Sequence, residues 1–147
     1  MSYLSNRQFK VRVGDELSDF YPVASGTPQG GVLGPLIFLL YMNDLPTHVT
    51  EGRAFMYADD TTIVVSGNSM AGVCGGLGRV ISQFKSWCDR NRLIVNISKT
   101  QCMFFRNKSR HIDFSSITLN EHPDLKFTDS VRFLGVVLDS CLTWTPY

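Results

Sequence analysis

The chain is poor in the features that mark several large functional classes. No apolar run approaches the roughly 18 residues of a membrane span, no Cys-x-x-Cys pair or zinc-like histidine spacing occurs, and the net charge is only +1 over 147 residues. The first absence argues against a helical membrane protein, and the second against a zinc module. Cys74, Cys88, Cys102 and Cys141 are therefore expected as core or surface thiols rather than disulfides or metal ligands. The opening Met1-Ser2-Tyr3-Leu4-Ser5-Asn6-Arg7 lacks the apolar core of a secretory signal, so an intracellular setting is expected, with nucleus and cytoplasm both open. There is no internal repeat and no low-complexity segment.

A composition that is 44% hydrophobic and 18% charged is ordinary for a globular fold. A chain of this length fits one domain and removes roughly two-thirds of its unfolded surface from water. The small net charge hides an asymmetry: residues 85–110 carry Lys85, Arg90, Arg92, Lys99, Arg106, Lys108 and Arg110 against Asp89 alone, a local excess of +6. Such a stretch suits phosphate neutralisation, and it equally suits a solvated helix end and loop.

Phe9 to Val13 alternates apolar and basic residues, Gly14-Asp15-Glu16 turns the chain, and Phe20 to Val23 extends again, which reads as a hairpin. Pro28, Gly30, Gly31, Gly34 and Pro35 prevent regular structure over residues 25–35 and expose backbone N–H groups. Leu36 to Met42 is apolar all round and is expected as a buried helix ending near Asn43 to Pro46. A second helix is expected after Gly67-Asn68-Ser69, with Met70, Val73, Cys74, Leu77, Val80, Ile81, Phe84, Trp87 and Cys88 on its core face. Gly72, Gly75, Gly76 and Gly78 each weaken that helix by about 1 kcal/mol relative to alanine; either backbones approach closely there or the sequence has drifted. Further strands are expected at Leu93 to Val95, Cys102 to Phe105 and Ser116 to Leu119, with a hairpin through Val131 to Leu138.

The most informative block is Tyr57-Ala58-Asp59-Asp60, set between Ala54-Phe55-Met56 and Ile63-Val64-Val65. Adjacent residues on a regular strand point to opposite faces, so two neighbouring carboxylates between strand-forming segments read as a hairpin tip that presents negative charge. Taken alone, Asp-Asp in a turn is more often a solvated tip selected for its backbone geometry. Three further blocks stand around it: Ser25-Gly26-Thr27-Pro28-Gln29-Gly30-Gly31-Val32-Leu33-Gly34-Pro35, Asn96-Ile97-Ser98-Lys99-Thr100 and Phe133-Leu134-Gly135-Val136.

These four ordered blocks, together with Tyr41-Met42-Asn43-Asp44-Leu45-Pro46, resemble the palm of a reverse transcriptase, and most closely the kind carried by retrotransposons without long terminal repeats. The resemblance covers nearly the whole chain, residues 1–147, as a partial domain. It implies an α+β fold: a polymerase palm-like antiparallel sheet packed on two helices, lacking the fingers, the first catalytic strand and the thumb. It implies RNA-templated DNA synthesis by two-metal nucleotidyl transfer in the complete protein, with Asp59 and Asp60 as catalytic metal ligands for Mg²⁺, or Mn²⁺ in its place. Hard Mg²⁺ prefers carboxylate and phosphate oxygens, in keeping with that assignment.

The same resemblance places Pro28, Gln29 and Gly30 against the templating base and incoming nucleotide. Tyr57 and Ala58 fall near the primer end, and Lys99 near the triphosphate. Tyr57 equally suits a core-filling strand aromatic, and Lys99 a solvated surface lysine. The partners implied are an RNA template, a DNA primer and deoxynucleotides, with no membrane. Gly31 stands where many members of that family carry serine.

One expected element is missing. The family's further metal-binding aspartate precedes the Ser-Gly-x-Pro-Gln-Gly loop, yet the acids ahead of Ser25 are Asp15, Glu16 and Asp19, in an unrelated turn-like context. Two carboxylates offset only half the charge of two Mg²⁺ ions, and Mg²⁺ sheds water reluctantly. The chain is accordingly expected to be inactive in isolation, and to expose apolar surface that favours association. A non-catalytic nucleic-acid-binding remnant of a decayed retroelement is the competing reading. An RNA-templated RNA polymerase fits less well, because of Pro28-Gln29-Gly30 and Tyr57-Ala58.

Overall fold

Alternation at the N-terminus folds into a long, broken hairpin. In the computed structural model, which describes residues 3–28, 30–107 and 125–143, β1 (Gln8–Phe9) pairs antiparallel with β4 (Tyr21–Pro22), and β2 (Arg12–Val13) with β3 (Glu16–Leu17). The register slips by one residue between the two pairs, from Phe9 opposite Tyr21 to Arg12 opposite Leu17. The extra residue forms a bulge around Ser18. Ser18 repairs the ladder there: its N–H donates to the Val11 carbonyl at 2.9 Å, and its Oγ accepts from the Val11 N–H at 2.9 Å.

After the proline- and glycine-rich loop comes α1 (Leu33–Met42), with Pro35 in its first turn where the missing N–H costs no hydrogen bond. A short α2 (Leu45–His48) follows. Then β5 (Arg53–Tyr57) and β6 (Asp60–Val64) pair through a two-residue connection, which only an antiparallel pair can use. The long helix α3 (Met70–Arg90) starts at Ser69, whose extended backbone and side-chain oxygen cap the Gly72 N–H at 3.1 Å.

Helix α3 ends in a Schellman motif: Arg92 N–H donates to the Asp89 carbonyl and Leu93 N–H to the Cys88 carbonyl. Arg92 sits at φ 55° in the position that usually takes glycine. The motif redirects the chain, so the strand expected at Leu93 to Val95 does not form. A single 3₁₀ turn, Ile97–Lys99, follows. β7 (Gln101–Cys102) then pairs parallel with β8 (Lys126–Phe127), and β9 (Ser130–Phe133) pairs antiparallel with β10 (Val136–Asp139). Leu134 and Gly135 connect the last two strands at φ 47° and 86°, the signs of a type I′ turn. The strand expected at Ser116 to Leu119 lies outside the described residues.

Two compact units emerge, residues 1–44 with 56–61, and residues 45–55 with 62–147. The second owns most of the core. Leu45 and Trp87 are fully enclosed, Val49, Val80, Cys88 and Phe104 are buried, and Phe104 stacks on Phe127 at 5.2 Å between ring centroids. Full burial of a large apolar side chain stabilises by about 1.5–3 kcal/mol. In the first unit, Met42 is the only large apolar side chain that is buried among the described residues.

One expectation needs correction. Helix α1 is not a buried helix: Leu33, Leu36, Leu39, Leu40 and Tyr41 are exposed, Leu40 at 68%, because no described element covers them. Among the described residues the strands form five two-stranded pairs, and what holds is the coarser α+β character of short, mainly antiparallel pairs with a few helices.

Candidate active site

The acidic pair occupies the bend between β5 and β6. Ala58 and Asp59 are the two connecting residues, and Asp60 begins β6. Ala58 has φ 52° while Asp59 has no positive φ, the sign pattern of a type II′ turn. A left-handed backbone at an L-residue costs about 1–2 kcal/mol, which glycine would avoid. Asp59 and Asp60 are both exposed, and neither carboxylate makes a hydrogen bond or ion pair among the described residues. Tyr57 is 67% exposed, so its side chain stands in solvent rather than filling a core.

Pro28 and Gly30 belong to the same compact unit as residues 56–61. Gln29, between them, lies outside the described residues. Gly30 has φ 77°, a conformation that admits glycine with little strain. The start of α1 closes onto this loop: a Cβ at Gly34 would come within 2.9 Å of the Pro28 carbonyl oxygen. A Cβ at Gly31 would meet the Tyr3 hydroxyl at 2.7 Å, so Gly31 makes room for Tyr3.

Arg7 braces the loop from the hairpin side. Its guanidinium donates to the carbonyls of Gly26 and Leu4, while its own carbonyl accepts from the Val23 N–H at 2.8 Å. No sequence signal marks Arg7, because its main partner stands 19 residues away.

Lys99 belongs to the second unit and is exposed, with no hydrogen-bonded or ionic partner for its ammonium among the described residues. The block around it is one self-capped turn. Asn96 Oδ1 accepts from Ser98 Oγ at 2.7 Å and from the Lys99 N–H at 3.3 Å, and Thr100 Oγ1 donates to the Asn96 carbonyl at 2.9 Å. Asn96, Ser98 and Thr100 thus fix the backbone from which Lys99 projects, a role sequence reading had not separated from that of the lysine.

Among the described residues no group of three or more His, Cys, Asp or Glu side chains is placed to hold a metal ion. None of their helices is long and apolar enough to cross a membrane. The arrangement so far is an exposed acidic bend in the same compact unit as a glycine-shaped loop.

Comparison with known proteins gives the family. Residues 2–138 match the reverse transcriptase (RNA-dependent DNA polymerase) family, and the chain belongs to it. It is 34% identical, over 99% of its length, to the probable RNA-directed DNA polymerase from transposon BS of Drosophila melanogaster. It is 30% identical, again over 99%, to the RNA-directed DNA polymerase from mobile element jockey of the same fly. A Pol polyprotein from type-1 retrotransposable element R1 2 of Nasonia vitripennis shares 28% identity over 76% of the chain. The chain spans 17%, 16% and 28% of these relatives, so it corresponds to part of a retrotransposon reverse transcriptase. No solved structure matches it.

Proposed function

We propose that this chain is the catalytic palm portion of a retrotransposon reverse transcriptase, contributing Asp59 and Asp60 to RNA-templated DNA synthesis in the complete protein. The observation that carries the reading is the pair of exposed, unpartnered carboxylates at a two-residue bend, in a chain of this family. Their hard oxygens suit Mg²⁺ or Mn²⁺, and no cation of the described residues competes for them. A divalent ion held by Asp59 and Asp60 would supply Lewis-acid stabilisation of the oxygens of an in-line displacement.

The chain's own residues bind and orient. Gly30, with its positive φ, lets backbone approach the incoming deoxynucleotide, Gln29 offers an amide that both donates and accepts hydrogen bonds, and Pro28 stiffens the loop. Ala58 and Tyr57 lie beside the primer end, the small side chain leaving space and the exposed ring giving the strand a surface. Lys99, on its capped turn, neutralises charge on the departing pyrophosphate. RNA template, DNA primer and deoxynucleotides are the partners.

Two carboxylates balance two of the four positive charges of a metal pair, and the described residues hold no third ligand beside them. The 147-residue polypeptide therefore does not polymerise by itself. Two assays test the reading. Primer extension on homopolymer RNA with Mg²⁺ or Mn²⁺ should give no product from the isolated chain; synthesis that Asp59→Asn abolishes would refute its inactivity. Grafting residues 2–138 in place of the matching segment of the jockey polymerase should give a chimera that extends primers. Asp59→Asn should then lower its rate by at least a hundredfold. A chimera indifferent to that substitution would remove Asp59 from the chemistry.

A further inference from the structure

A cleft at the foot of the β5–β6 hairpin, wholly within the second unit, has no part in the site described above. It is an open depression of about 430 Å³ running from Thr50 to Phe55 and bordered by Val64 and Ser66. Its walls are held firmly. Gln83 of α3 grips Thr50 twice, accepting from the Thr50 N–H at 3.0 Å and donating to its hydroxyl at 3.1 Å, and Arg79 pairs with Glu51 at 3.0 Å. On β5 the guanidinium of Arg53 lies over the Phe55 ring, 5.1 Å from its centroid, and both residues are exposed.

An exposed ring with a guanidinium against it is a flat, polarisable surface of the kind on which unpaired bases stack. Glu51, the one carboxylate lining the cleft, is already paired with Arg79 of α3, which leaves the Arg53 guanidinium to meet a phosphate. We propose that this cleft is a second nucleic-acid contact, taking one or two unpaired nucleotides, with a base on the Arg53–Phe55 pair and a backbone phosphate on the remaining guanidinium donors. An acidic peptide would use the guanidinium and leave the stacking surface idle. The choice of nucleic acid rests on the polymerase reading.

The test is made on the full chain in EDTA, where the acidic bend can hold no divalent ion. A fluorescent uridine 12-mer is titrated by anisotropy, and the same oligonucleotide carrying 5-iodouridine is photocrosslinked and mapped by mass spectrometry. Phe55→Leu and Arg53→Gln should each weaken binding about tenfold, and the parent crosslinks should fall at Phe55. Binding by both variants equal to the parent, or crosslinks confined to residues 85–107, would overturn the proposal. The crosslink map needs no variant to fold, and because metal is absent, failure here leaves the catalytic assignment of Asp59 and Asp60 untouched.

Discussion

Two glycines two residues apart in α3 should respond to the same substitution with opposite signs. A Cβ at Gly78 meets nothing within 4 Å, whereas at Gly76 it would stand 2.9 Å from Val65 Cγ1. Gly78→Ala therefore collects the full helix-propensity gain, about 1 kcal/mol, from the reduced freedom of the unfolded chain and the better-shielded backbone. For a chain of this size that corresponds to roughly 3 °C in Tm. Gly76→Ala gains the same amount and then loses about 1–3 kcal/mol to overpacking, because β-branched Val65 has a stiff χ1 and cannot swing aside. The two variants should differ by about 1–3 kcal/mol, with Gly76→Ala neutral to destabilising. Urea titration followed by circular dichroism at 222 nm measures both. Adding Val65→Ala should restore the gain at position 76, since removing both Val65 γ-methyls frees the space, and the double-mutant cycle isolates that coupling. If Gly76→Ala stabilises as much as Gly78→Ala, the close approach of α3 to Val65 is wrong and both glycines are sequence drift.

Three further outcomes follow from local geometry. Ala58→Gly should raise stability by up to about 1 kcal/mol, relief of the φ 52° strain exceeding glycine's extra unfolded-state entropy; a lower Tm would show that the bend is not left-handed at that residue. Asn96→Ala should destabilise by about 1 kcal/mol and Asn96→Asp far less, because aspartate retains the capping oxygen; equal losses in thermal scans would contradict the self-capped turn. Burial pushes the Cys102 thiol above its ordinary 9.0, and burial followed by the neighbouring Asp89 carboxylate does the same for Cys88. Since the folded pKa values are raised, their contribution to stability is complete below the unfolded value and is lost as pH rises through the folded ones. Urea midpoints should fall above pH 9 in the parent and fall less in a Cys88→Ala/Cys102→Ala variant, whereas parallel pH profiles would oppose the assignment.

What the sequence made legible was local. The acidic bend, the Leu134–Gly135 turn and the start of α3 at Ser69 are written in consecutive residues whose backbone preferences and capping groups act over a few positions. Helix α1 was correctly placed, but its expected burial was not: an all-apolar surface shows that a helix is suited to being covered, not which described element covers it. The strand misread at Leu93 to Val95 had β-branched residues and lost to a helix-ending motif that set Arg92 in a left-handed conformation. Contacts across long separations had no local signature. The Arg7 brace on Gly26, the Gln83 grip on Thr50 and the parallel pairing of β7 with β8 are of this kind, and the open cleft follows from the second of them. At the candidate site, residue types marked the Asp59–Asp60 bend and the family resemblance added Pro28, Gln29 and Gly30, while the membership of Pro28, Gly30 and the bend in one compact unit became visible only in three dimensions.

The most direct measurement for the central claim is Mn²⁺-induced broadening of backbone amide resonances in the isotope-labelled chain. Titration should broaden residues 57–61 first and at weak, sub-millimolar to millimolar affinity, and an Asp59→Asn/Asp60→Asn variant should lose that broadening while keeping its remaining spectrum. Broadening that begins instead at Asp15 and Glu16, or that persists unchanged in the double variant, would contradict a metal site at the acidic bend.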